Sequence, residues 1–141
     1  MTKSGMALAL LLLATPAFAA DHPAFLTGYW FGQGEPNDKS EMWLAHASAN
    51  GDFAVQFRAC RRGQKGKQAS DLFQQGKWWF QDGIEYVQIT LANGLVVFDE
   101  TPYKIIAHDG NHQTYSMPSG FVFKSARVDA NFRMPPCELV S

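Results

Sequence analysis

From Phe53 onward, apolar and polar positions alternate along the chain. Phe53, Val55, Phe57 and Ala59 fall on one face, and Ala54, Gln56 and Arg58 on the other. A period of two is what a β-strand with one buried face imposes. The same rhythm recurs from Ile84, where Val87, Ile89 and Leu91 oppose Tyr86, Gln88 and Thr90. Trp78 and Phe80 oppose Lys77 and Gln81, and Phe121 and Phe123 oppose Lys124. Between such runs stand four dipeptides suited to tight reversals: Asn50-Gly51, Asp82-Gly83, Asn93-Gly94 and Asp109-Gly110. Asn, Asp and Gly tolerate the positive φ that two-residue hairpins require.

The pattern predicts strands over 27–33, 41–48, 52–59, 70–75, 77–81, 84–92, 95–98, 102–108, 112–117 and 121–128. No sustained apolar repeat at helical spacing appears; one short helical turn at 69–73, capped by Ser70, is compatible with the residues. Residues 32–39, with Gly, Pro, Asn and Asp, and residues 61–68, basic and glycine-rich, read as loops. The fold class is therefore all-β, an antiparallel up-and-down meander of about eight to ten strands. Closure into a small barrel removes the exposed edges of such a meander; a two-sheet sandwich is the competing arrangement.

The first residues change which part of the chain must fold. Lys3 precedes an apolar run from Met6 to Leu13, followed by Thr15, Pro16 and Ala17-Phe18-Ala19. This is the layout of a secretory signal peptide, and the run is shorter than the roughly 20 residues a membrane-spanning helix needs. Residues 1–19 are expected to be cleaved, leaving 20–141 as one domain, exported to the periplasm or secreted, with no integral membrane segment. Without Lys3 the 12 basic residues of the chain fall to eleven, against 13 acidic. That balance argues against nucleic acid as a partner. Eleven Phe and four Trp suit a β core. In an exported protein the two cysteines, Cys60 and Cys137, read as one disulfide, with no metal spacing between them.

Gly28-Tyr29-Trp30 opens the first predicted strand, and Arg127 lies in the last. This resembles the Gly-x-Trp motif of the lipocalins and their calycin relatives. The resemblance implies a barrel in which Trp30 packs across the closed end with Arg127 against it. The Cys60–Cys137 pair is similar to the lipocalin bridge between a mid-barrel strand and the C-terminal tail. The chain departs from full-length lipocalins in its length and in Pro135-Pro136, which excludes a long helix at that point.

Candidate chemistry is sparse. His22 lies in an N-terminal segment expected to be disordered. His108 and His112 flank Asp109-Gly110, where a hairpin tip could bring them together; the plainer reading is an exposed tip, and no metal site or other cofactor is assigned. His46 shares a face with Met42 and Leu44, either as a satisfied core histidine or as a cavity residue. Arg58, Arg61, Arg62, Lys65 and Lys67 form a basic cluster that could contact an anion or remain a solvated loop. No nucleophile with a partner and no paired carboxylates stand out, so no enzymatic activity is assigned. A small barrel can enclose one apolar ligand, and Met42, His46, Trp78, Phe80, Tyr86 and Tyr115 are the expected lining. The alternative is an exported inhibitor or envelope-assembly factor with a filled barrel, engaging a protein partner through loops 32–39 and 61–68.

Overall fold

The computed structural model describes residues 21–34, 40–63 and 66–137, without the side chain of Lys67. The expected leader and its cleavage position lie outside the described residues, as do Lys65 and residues 35–39 of the first loop. The strands are β1 (Gly28–Gln33), β2 (Glu41–Ala47), β3 (Asp52–Gly63), β4 (Gly66–Gln81), β5 (Ile84–Ala92), β6 (Leu95–His108), β7 (His112–Ser116) and β8 (Val122–Val128). Each pairs antiparallel with the next, and β1 closes on β8 from Tyr29↔Val128 to Gly32↔Ser125. The meander is a closed eight-stranded barrel. Among the described residues no helix is long and apolar enough to cross a membrane.

Ten predicted strands become eight because two pairs merge. Residues 70–75 and 77–81 belong to one strand, β4, interrupted in register at Gln75/Gly76 by a bulge that leaves Thr90 of β5 unpaired. Gly76 marks that point because a Cβ there would strike the Gln88 carbonyl oxygen. The helical turn at 69–73 does not form; Ser70 pairs with Ala59 inside the β3–β4 ladder. Residues 61–63 and 66–68 are likewise strand and not loop, since Arg61↔Gln68 and Arg62↔Lys67 extend that ladder.

Residues 95–98 and 102–108 also join, as β6. A second register shift opposite Ile89 and Leu91 breaks the alternation between them. Pro102 is accommodated because β7 pairs with β6 only from Lys104 onward. Proline on an unpaired edge costs no ladder hydrogen bond. A third shift, between Ile105 and Ala107, turns Ile106 outward and reverses which positions face the interior.

Hairpin turns alternate between the two ends of the barrel. At the β4–β5 and β5–β6 turns, Asp82 (φ 53°) with Gly83 (φ 79°) and Asn93 (φ 47°) with Gly94 (φ 77°) have the paired positive φ of type I′ turns. One end is closed by residues 21–27. Asp21 bridges Phe80, and the His22 ring N–H donates to the Trp78 carbonyl at 2.9 Å. His22 is therefore held in place rather than disordered. Leu26 and Trp78, both 1% exposed, form the centre of this core with Ala47, Val87 and Ile89.

The C-terminal tail runs over the outside of β1–β3. Cys137 bonds to Cys60, with Cα atoms 5.4 Å apart. Met42, Met134 and the disulfide form a second core, against which Phe31, Leu44 and Phe132 pack. Closing a chain segment of this length stabilises the fold by up to about 4 kcal/mol on the chain-entropy account.

Candidate functional site

The barrel is hollow. A cavity of about 310 Å³ lies inside it, at the lower end of the range for small-ligand sites. Period-two alternation brings one residue set from each strand to its wall. β2 gives Trp43, Ala45 and Ala47, and β3 gives Phe53, Val55 and Phe57, aligned as Trp43↔Phe57, Ala45↔Val55 and Ala47↔Phe53. From β5 and β6 come three opposed pairs, Glu85↔Tyr103, Val87↔Thr101 and Ile89↔Asp99. β7 and β8 add Gln113, Tyr115 and Phe123.

Aromatic rings make much of the wall. The Trp43 indole lies over Gly32, where any Cβ would collide with its six-membered ring. Trp43 meets Phe123 edge-on at 5.7 Å, Phe123 meets Tyr115 at 5.7 Å, and Tyr115 meets Tyr103 edge-on at 5.4 Å. Such pairs add about 0.5–1.5 kcal/mol each beyond burial, and they fix the shape of the cavity.

Two polar residues of the wall, Glu85 and Gln113, are buried, while Asp99 is exposed. Glu85 is 8% exposed and Gln113 7%, and Gln113 Oε1 has no hydrogen-bond partner. Burial alone pushes the Glu85 carboxyl up to about 7. Desolvation, then the nearby Glu85 and Tyr103, raise the Tyr115 hydroxyl above its ordinary value, so it remains a neutral phenol. Tyr103 is raised as well, first by burial and then by Glu85.

Below the cavity, the closed end is pinned by Trp30 and Arg127. The Trp30 indole N–H donates to the Leu26 carbonyl at 3.0 Å, and Arg127 Cζ lies 4.4 Å from the Trp30 ring centroid. The guanidinium also donates to the carbonyls of Gly110 (2.7 Å), Thr27 and Phe25 (3.3 Å). Gly28 leaves room for it, since a Cβ there would meet Arg127 Nη1.

Of the six expected lining residues, Tyr115 borders the cavity. Trp78 and Phe80 face inward but belong to the closed-end core, where the Trp78 indole N–H donates to Ser48 and Phe80 packs edge-on against Phe25. The other three do not line it. Met42 faces the tail and disulfide, His46 stacks on Tyr29 at 4.0 Å, and Tyr86 stacks on Trp79 at 5.4 Å. On β2 the reason is the tail: it covers the outer face of that strand, so both faces are apolar and alternation does not say which is inside. Tyr86 is on β5, on the face opposite Val87 and Ile89. His46 instead borders a smaller hollow of about 180 Å³ with Tyr29 and Phe73.

The basic cluster is partly committed. Arg58 forms a two-point ion pair with Asp71, at 2.8 and 3.2 Å, and Arg61 pairs with Glu41 at 3.1 Å. Arg62 is exposed on the extended hairpin. Lys65 lies outside the described residues, and only the backbone of Lys67 is described. At the β6–β7 tip the two histidines part: His108 stacks on Phe25 at 4.1 Å, while His112 turns to Asp109. Among the described residues no group of three or more His, Cys, Asp or Glu could hold a metal.

Sequence reasoning missed Glu85, Trp43, Tyr103 and Gln113. Glu85 carried a signal, because it falls on the same face as Val87 and Ile89. Comparison with known proteins adds no relative: no family model, no curated protein and no solved structure matches the chain.

Proposed function

We propose that this is an exported, lipocalin-like binding protein that holds one small apolar or amphipathic ligand inside its barrel. The observation that carries the reading is the 310 Å³ interior, walled by aromatic rings and carrying the buried polar side chains of Glu85 and Gln113. An apolar enclosure with sparse polar anchors is the usual form of a small-molecule site. The Cys60–Cys137 bond is in keeping with export, and Trp30 against Arg127 with the calycin resemblance. A filled barrel acting only through its loops fits less well, because a filled barrel has no such interior.

Titration with a neutral fluorescent dye such as Nile red, followed by quenching of tryptophan emission, tests the reading. Trp30 and Trp43 border the cavity, so saturable one-to-one quenching is expected. Ala45→Phe, which fills the cavity from β2, should weaken it at least about tenfold. Absence of saturable binding to the wild-type protein would remove the proposal.

A further inference from the structure

We infer that the ligand is a hydrophobic amine, its protonated nitrogen held by the Glu85 carboxylate among the tyrosine rings of the barrel. The inference rests on the cavity being a ligand site and adds the chemistry of what enters it.

The first argument is charge. Among the described residues the cavity wall carries two carboxyl groups, the buried Glu85 and the exposed Asp99, and no Lys, Arg or His. Arg127 also points into the barrel from β8, but its donors are taken by the carbonyls of Gly110, Thr27 and Phe25 at the closed end. Among the described residues Glu85 thus has no cation to pair with, and burial dominates its titration. A buried carboxylate without a partner is costly, and a ligand cation supplies that partner. An anionic guest, such as a fatty acid, would meet two carboxyl groups and no compensating base.

The second argument is hydrogen bonding. Gln113 is 93% buried, being 7% exposed, and its Oε1 is an acceptor without a donor. With Glu85 and Asp99 it makes three lining side chains that present acceptor oxygens, and an ammonium group brings three donors. The third is the rings. Tyr103 stands opposite Glu85 in the β5–β6 ladder and meets Tyr115 edge-on. Aromatic faces attract a cation, more strongly where water is excluded. The hydrocarbon part of the same ligand would lie along Val55, Val87 and Phe53.

Three probes with one shared hydrocarbon separate this from the broader reading: 4-phenylbutylamine, 4-phenylbutanol and 4-phenylbutyrate. Their affinities are measured by calorimetry at pH 8 on the wild-type protein and on Glu85→Gln. The amine is expected to bind at least about tenfold more tightly than the alcohol, as a charge-assisted contact would give, with the carboxylate weakest. Glu85→Gln should erase the advantage of the amine over the alcohol. An amine no tighter than the alcohol, a carboxylate that binds best, or an amine advantage that survives in Glu85→Gln would overturn the inference. Binding of the alcohol in any of those cases would leave the cavity reading standing. Failure of all three probes together with Nile red would remove both. Should Glu85→Gln not fold, the ranking on the wild-type protein alone decides.

Discussion

The two ends of the barrel are built to different rules. At the closed end, Leu26 and Trp78 are 1% exposed and Trp30 is 2% exposed. Their polar atoms are spoken for: Trp30 on Leu26, Trp78 on Ser48, His22 on Trp78. At the other end, Leu95, Val96 and Phe98 are 72%, 88% and 76% exposed, and Phe121 and Val122 are more than half exposed. There β6 outruns β7, so its first residues have a strand neighbour on one side only. Tight packing and an open hollow are incompatible in the same volume. The closed end therefore stabilises the fold, and the open end is where the proposed ligand would enter.

That contrast can be broken by substitution. The largest effect is expected from Trp78→Ala, which empties the centre of the closed end and should cost about 3–5 kcal/mol in urea denaturation. A loss below about 1 kcal/mol would deny that this end carries the stability. Next comes Glu85, within the cavity. Its carboxyl, ordinarily at 4.5, sits at about 7 in the folded protein. The folded state thus holds the proton more tightly than the unfolded chain, so stability falls as pH rises from about 4.5 to 7 and the full penalty remains above that window. At about 1.4 kcal/mol per pH unit the penalty is about 3 kcal/mol at most, less where water in the cavity solvates the charge. Glu85→Gln should flatten this part of the pH profile and stabilise the protein at pH 8. An unchanged profile would mean that Glu85 is solvated. The smallest effect belongs to the open end: Phe98→Ser should change stability by no more than about 0.5 kcal/mol. A larger loss would show this exposed apolar strand to be structural.

The legibility of the chain follows the same division. Strand β5 was readable residue for residue, because Ile84–Ala92 has turn dipeptides on both sides and a clean alternation. β4 and β6 were read as two strands each, because bulges break the alternation within them while the backbone ladder continues. The Cys60–Cys137 bond was readable from an even count of cysteines. The cavity wall was readable only in part. Phe53, Val55 and Phe57 share a face in the sequence and in the barrel, but on β2 the sequence pattern points to Met42 and His46 where the barrel turns Trp43 and Ala45 inward. A strand covered on both sides gives no sign of which side is hollow.

The sequence by itself determined that the chain reverses at its Asn-Gly and Asp-Gly pairs and pairs strand to neighbouring strand, since turn chemistry and side-chain alternation are local properties. Only the tertiary structure decided the register in which β1 meets β8, that the tail covers β2, and that Glu85 faces an unfilled interior with no basic partner among the described residues. Those outcomes depend on which distant residues share a volume, and a linear pattern of polar and apolar positions carries no record of volume.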